Sequence, residues 1–378
     1  PRNKVWYDIR SIRPMALALC AWVGDATDAG DGPLIRAVWD LRVPGMEDPL
    51  RQLLGLRVPF VFHNAKAELF TFWTMRVDPD VYSLYDTQVA AAAIHLGVLH
   101  PRASTQDRGV DEAQVAEDVR TRRHFLLSLL GQCQQYGIRH GYETTKDFYR
   151  KKFMALEDGQ PITADLAGYA AADAVATMRV YAAQQPIIVQ HGLITHLHTT
   201  EFPFVAANAR VEWNGVLMAP EAMLKLRAGC QRAAEVHGDR LREMGMKNPR
   251  SEAQFDTLMY GRGLADGFPK TPGGKRVSTK DDDLELLQGL DPAVRAFRLH
   301  RKYARTASER WLTGVLIGAD GRHHPAHHQL EAQTGRNTST LPNIAGIGKV
   351  FRPVVIAPPG RAILEIDFSQ IEVAICGA

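Results

Sequence analysis

The sequence predicts a multidomain protein with α/β and α+β layers, and three observations carry that expectation. At 378 residues the chain is longer than one ordinary core, so two or three domains are expected. Its first half opens on short strand-like runs and continues as alternating strands and helices, the pattern of a layered domain. Its middle is mostly helical, and past residue 320 a polar loop leads into further strand-like text.

The elements follow in order. "KVWYDIRSI", "MALALCAWV" and "LIRAVWDL" are short strands rich in β-branched and aromatic residues, with the loop "GDATDAGDGP" before the third. "DPLRQLLGL" reads as a helix, "VPFVFHNAKAELFTFWTMR" passes from a buried strand into a helix, and "LYDTQVAAAAIHLG" is another. "PRASTQDRGVDEAQ" is a polar loop; "FLLSLLGQCQQYGI" and "ADLAGYAAADAVATMRVYAAQQ" have helical periodicity. "APEAMLKLRAGCQRAAEVHGDRLREMG" is a long amphipathic helix with Pro220 near its start, where a missing N–H costs nothing. A Gly/Pro/Lys-rich loop then ends in a cap at Ser278 or Thr279. "PAVRAFRLHRKYARTASERWLTGV" is a strongly basic helix, and the text around "VVIAPPGRAILEIDFS" reads as a strand pair.

Composition narrows the function classes. The chain is 45% hydrophobic and 23% charged, as folded globular proteins are. Net charge is only +3, from 45 basic and 42 acidic residues, so a nucleic-acid partner must be met by local basic patches. Cys20, Cys133, Cys230 and Cys376 show no paired spacing, which argues against a zinc module or disulfide framework and fits a reducing cytoplasm. No apolar run approaches the roughly 18 residues of a membrane span. The first residue is Pro1 and the last run stops inside apolar text, so a fragment is expected.

Chemistry concentrates near the end, in "EIDFSQIEV". Strand alternation puts Asp367, Ser369 and Ile371 on one face, and Ile366, Phe368 and Gln370 on the other. A carboxylate buried there costs several kcal/mol without compensation. A helix beginning at Gln370 or Ile371 sets Glu372 about one turn beyond Asp367. A strand-end carboxylate suits Mg²⁺, which takes one or two carboxylates plus substrate phosphates; capping the next helix is the other reading. In the basic helix, Arg298, Arg301, Arg305 and Lys302 form either a phosphate-facing stripe or a solvated face. The histidines of "HHPAHH" have metal-ligand spacing only in a helix, and Pro325 argues for a loop, so no metal role is expected.

"DFSQIE" resembles the first palm motif of family A DNA polymerases, and the preceding "QTGRNTSTLPNIAGIGKVFRPVVIAPPGRAILEI" resembles that family's collinear lead-in. The resemblance implies that Asp367 binds both catalytic Mg²⁺ ions and that Glu372 is a steric gate against a ribose 2′-hydroxyl. It implies that Gln370 lies near the minor groove and that Arg336, of "TGR", reads minor-groove acceptors at the primer terminus. Such acceptors are nearly common to all pairs, so they report pairing geometry and not sequence. Phe368 stands where Tyr is usual, Ala374 where Arg is usual, and "NIAGIGK" replaces the usual N-L-Q-N-I-P. "RLHRKYARTASERW" resembles an element at the base of the thumb, which makes Arg301 and Arg305 implied DNA contacts. "EFPFVAANARVEWNGVLM" resembles the segment leading into the thumb.

The family's proofreading domain carries three carboxylate motifs, and "YDIRS", "HNAKAEL" and "YAAAD" resemble them unevenly. Tyr169 and Asp173 keep the third. Asn64 keeps part of the second, with Ala67 and Glu68 where an aromatic residue and Asp are usual. Asp8 keeps part of the first, but Arg10 brings a fixed positive charge where a Glu ligand is usual.

Together these readings imply a ribonuclease H-like 3′–5′ exonuclease-type domain with degenerate motifs over 1–190. A mostly helical thumb over 191–318 and the beginning of a palm over 319–378 follow. The expected function is part of a template-directed DNA polymerase that adds deoxynucleotides to a primer 3′-end by two-metal phosphoryl transfer in the longer parent. The Mg²⁺ site would be incomplete in these residues, so the chain alone is expected not to extend a primer. The alternatives are a 3′–5′ exonuclease and a catalytically inactive DNA-binding module. Expected partners are primer-template DNA and deoxynucleoside triphosphates, with no membrane and no obligate protein partner. The expected location is cytoplasmic and nucleoid-associated, in a bacterial or phage-infected cell.

Overall fold

The computed structural model of the protein describes residues 9–22, 34–79, 83–96, 112–271, 274, 276–309, 312, 317–332, 334–341, 343–344 and 346–377. The chain divides into two units: Pro1–Asn214 with Pro325–Ala345, and Gly215–His324 with Gly346–Ala378.

In the first unit β1 (Ala16–Trp22) and β2 (Leu34–Asp40) pair antiparallel, with Leu19 opposite Ala37. Helix α1 (Glu47–Leu54) turns Leu50 and Leu54 inward. Strands β3 (Pro59–Phe62) and β4 (Ser83–Asp86) pair parallel, and parallel neighbours need a crossover, which α2 (Lys66–Thr74) supplies. Helix α3 (Thr87–Ile94) begins directly on Asp86, whose buried carboxylate accepts from the N–H groups of Gln88 (2.8 Å) and Val89 (3.3 Å). The same carboxylate accepts from Asn64 (3.1 Å) and Ala65 (2.7 Å), and so fastens the end of β3 to the start of α3.

Next come α4 (Glu112–Leu127), α5 (Leu129–Gln135), α6 (Lys146–Met154) and the 27-residue α7 (Ala164–Gln190). The Thr163 hydroxyl caps α7 by accepting from Leu166 N–H. Fully buried Gln184 on α7 accepts from the Tyr85 hydroxyl (3.0 Å) and donates to the Thr87 carbonyl (2.9 Å) and Gln132 (3.0 Å). A buried amide is tolerated only when satisfied in this way. Helices α8 (Ile194–His196) and α9 (Phe202–Asn214) complete the run. One apolar cluster gathers Leu50, Phe72, Trp73 and Ala209, and a second gathers Tyr85, Ile188, Leu197, Phe202 and Leu330.

The second unit contains β5 (Val216–Leu217), α10 (Pro220–Glu243), α11 (Glu252–Gly261), α12 (Asp281–Leu287), α13 (Pro292–Ala307) and β6 (Arg322–His323), with β5 and β6 antiparallel. Both long helices start on a Pro, and Asp291 caps α13 by accepting from Ala293 N–H. His300 on α13 donates through Nδ1 to the Ala234 carbonyl of α10 (2.8 Å). Gly238 leaves room for that ring, since a Cβ there would lie 3.2 Å from it. Phe255 and Phe297 stack at 4.1 Å in a core with Leu241, Met259, Val277 and Leu284. The chain then re-enters the first unit as a hairpin of β7 (Ala326–His328) and β8 (Thr338–Thr340), with His327 opposite Ser339. It ends in the second unit with α14 (Ile371–Cys376).

Several expectations are corrected. The described part of "KVWYDIRSI" is a short 3₁₀ turn, Ile9–Ser11, and not a strand. The end of the "PRASTQDRGVDEAQ" loop is already helical from Glu112. The N-cap of α12 is Lys280, without a side-chain cap, and Asp281, Asp282 and Asp283 instead place negative charge in the first turn. Most consequential, "VVIAPPGRAILEIDFS" forms no strand pair. It holds one bridge, Val355 to Met218, and residues 361–368 have no regular structure. A strand exists through its neighbour's hydrogen bonds, and no described strand lies beside 361–368.

Candidate functional site

The terminal segment is positioned by β5. Ala219 N–H donates to the Val354 carbonyl (2.8 Å) and Ile356 N–H to the Leu217 carbonyl (3.1 Å). Beyond this anchor every described residue from Arg361 to Gly377 is exposed, including Leu364 at 80%, Ile366 at 76% and Phe368 at 73%. Asp367 and Glu372 are therefore hydrated, and the desolvation cost that their apolar setting suggested does not arise. The two faces expected for 366–371 are not built either. Helix α14 does begin at Ile371, with Gln370 at φ +52° before it and Glu372 in its first turn, where the helix dipole favours a carboxylate.

Arg336 is exposed on the loop of the β7–β8 hairpin, next to the Gly335 turn at φ +79°. The basic helix α13 separates its arginines. Arg298 is buried and donates to Asp281 (3.1 Å) and Gln288 (3.2 Å), with Glu285 at 2.9 Å, so it leaves the expected phosphate-facing stripe. Arg301 donates to the Thr279 carbonyl (3.0 Å) and pairs with Glu252 at 3.2 Å. Arg305 is 86% exposed and pairs only loosely with Glu309, at 4.0 Å. Lys302 is exposed as well. Spacing alone could not separate these residues, because burial depends on α12 and its acidic first turn.

The proofreading-like residues share the first unit. Asp8 lies outside the described residues. Arg10 donates twice to the Trp213 carbonyl (3.2 and 3.0 Å), and its guanidinium lies 5.4 Å from that indole's centroid. In the first turn of α2, Glu68 has a carboxyl pushed up to about 8, first by burial and then by the nearby Asp86 charge, and its Oε2 is sealed without a partner. Asp173 and Tyr169 meet on α7. Asp173 accepts from buried His140 Nε2–H at 2.7 Å. Tyr169 is buried among Tyr142 (5.5 Å) and Tyr149 (5.6 Å), its phenol pushed up by burial and the Asp173 charge. Burial lowers His63 to about 4, so it is neutral at pH 7.

Residues 223–378 match the family model described as DNA polymerase family A. This part of the chain is similar to family A DNA polymerases. Among curated relatives, DNA polymerase I of Pseudomonas aeruginosa is 30% identical over 244 residues, which span 59% of this chain and 25% of the relative. DNA polymerase I of Aquifex aeolicus is 32% identical over 180 residues, 46% of this chain and 30% of the relative. The fold resembles the POL domain of Pol1 from M. smegmatis, solved in complex with DNA primer-template and dNTP, with a TM-score of 0.63 and 17% identity. That match covers 86% of this chain and 51% of the other. The chain thus spans about a quarter of the first curated relative it matches.

The matched residues 223–378 include Asp367 and Glu372. Among the described residues no group of three or more His, Cys, Asp or Glu side chains gathers as a metal site. Of the histidines in "HHPAHH", His324 Nε2 meets Asp320 at 3.2 Å, and His328 Nε2 meets Thr340 Oγ1 at 2.9 Å. Among the described residues, no helix is long and apolar enough to cross a membrane.

Proposed function

We propose that the chain is part of a template-directed DNA polymerase that extends a primer 3′-end by two-metal phosphoryl transfer in a longer protein. The observation that carries this reading is the collinear run ending in "DFSQIE", which falls inside residues 223–378 of the family match. In this reading residues 1–190 are a ribonuclease H-like, 3′–5′ exonuclease-type domain, 191–318 the thumb and 319–378 the start of the palm. Asp367 is the metal-binding carboxylate, Glu372 the sugar gate and Gln370 a minor-groove neighbour. Arg336, Arg301 and Arg305 contact primer-template DNA, and deoxynucleoside triphosphates are the substrate. When bound, Mg²⁺ would activate the primer hydroxyl and neutralise the leaving pyrophosphate.

Asp367 is one ligand of a two-ion site, so this chain by itself binds primer-template DNA and does not extend it. Incubating the 378-residue chain with primer-template, Mg²⁺ and dNTPs tests both halves of that statement. Salt-sensitive duplex binding without extension is expected; templated extension would overturn the incomplete-site reading, and absence of binding would overturn the DNA-contact reading. A 3′–5′ exonuclease is the weaker reading, because Glu68 is proton-bearing at neutral pH and Asp173 is engaged by His140.

A further inference from the structure

The hairpin that carries Arg336 is separated by more than a hundred residues of sequence from the helices that hold it. Its grip is centred on one backbone unit. His327 N–H donates to Glu212 Oε1 at 2.6 Å, and the His327 carbonyl accepts from Lys66 Nζ. Lys66 and Glu212 pair with each other at 2.6 Å, and the Glu212 side chain is only 5% exposed. An ion pair from α2 and α9 thus clamps both polar groups of a single residue in β7.

The rest of the loop is fixed the same way. Gln329 Nε2 donates to the Glu201 carbonyl at 2.8 Å and to its carboxylate. Arg123 donates to the carbonyls of Leu330 and Glu331, each at 3.2 Å. The Leu330 side chain is buried in the cluster of Tyr85, Ile188 and Phe202, although its backbone has φ +54°, which a leucine adopts only when its surroundings impose it. Buried ion pairs are inefficient sources of stability, and their best-attested use is to fix one register. Here the register fixed is that of β7, hence of β8 and of the exposed Arg336 between them.

We infer that Lys66, Glu212, Glu201 and Arg123 are positioning residues for Arg336, and that the proofreading-like unit serves as the mount of a primer-terminus reader. The inference rests on the proposed DNA contact of Arg336. It also gives that unit a use that needs no nuclease chemistry.

The test uses the 378-residue chain and the variants Lys66→Met, Glu212→Gln, Gln329→Ala and Arg336→Ala. Hydrogen exchange reads the mount without DNA. The clamp variants raise exchange across 326–340 by about tenfold or more while exchange in α10 and α13 stays as in the parent chain. Unchanged exchange in 326–340 for all three clamp variants would overturn the mount. Anisotropy with a fluorescent primer-template reads the consequence. Arg336→Ala weakens binding by about tenfold, Lys66→Met by less, and the double variant binds no worse than Arg336→Ala alone. Additive losses would overturn the positioning role even where exchange changes. An Arg336→Ala chain that binds as the parent does would instead overturn the DNA contact itself, and the two failures are told apart by the exchange data.

Discussion

Two arginines on the same helix, α13, should behave oppositely when removed. Arg298→Ala deletes a buried guanidinium that donates to Asp281 at 3.1 Å and Gln288 at 3.2 Å, with its side chain 8% exposed. Its carboxylate partners are more than half exposed and rehydrate, so the loss is that of alkyl packing and strong hydrogen bonds, roughly 1–3 kcal/mol. Arg305→Ala deletes an 86% exposed side chain whose carboxylate partner stands 4.0 Å away, and stability should change by less than about 0.5 kcal/mol. DNA affinity reverses the order. An Arg that neutralises one phosphate contributes about 0.9 to the slope of log affinity against log salt. Arg305→Ala should lower that slope by about one contact, and Arg298→Ala should leave it unchanged in chain that remains folded. Urea denaturation gives the first quantity, and anisotropy of a labelled duplex across a salt series gives the second. A slope lowered by Arg298→Ala and untouched by Arg305→Ala would refute the assignment of α13 faces.

Other perturbations test other parts of the account. Glu68 ionises near 4.5 when unfolded and near 8 when folded, so the folded state keeps a proton that the unfolded chain has lost. Stability therefore falls as pH rises between those values, by at most about 1.4 kcal/mol per pH unit, and Glu68→Gln should remove that slope and stabilise the chain at pH 8. A melt series showing the same pH profile for both proteins would contradict the buried, proton-bearing carboxyl. Single-stranded DNA incubated with the chain and Mg²⁺ should stay intact; degradation that disappears with Asp173→Ala would revive the nuclease reading. In the longest reading frame that carries this segment, Glu372→Ala should raise ribonucleotide incorporation relative to deoxyribonucleotide by at least about tenfold. Equal discrimination would remove Glu372 from the sugar gate.

What the sequence revealed depended on whether the signal was local. Helix α10 was legible because Pro220 marks its start, and α13 was legible as a strongly basic helical run. Helix α3 was legible too, although the reason its start is fixed, four N–H groups on Asp86, needs Asn64 and Ala65 from another element. The apolar alternation of 361–368 promised a strand, but strand formation depends on a partner and no described residue pairs with it. The same dependence hid Arg298, whose burial is decided by α12, and the Lys66–Glu212 clamp, whose members are 146 residues apart. A glutamate inside the apolar text of α9 was the available clue to that clamp, since such a residue is kept only with a partner.

The central claim is that Asp367 belongs to a polymerase site, and one measurement tests it most directly. The longest reading frame carrying this segment is assayed for primer extension with Mg²⁺ and dNTPs, beside its Asp367→Asn variant. Templated extension that falls by at least about 10³-fold in the variant is the expected result. Extension at equal rates in the two proteins would contradict the account.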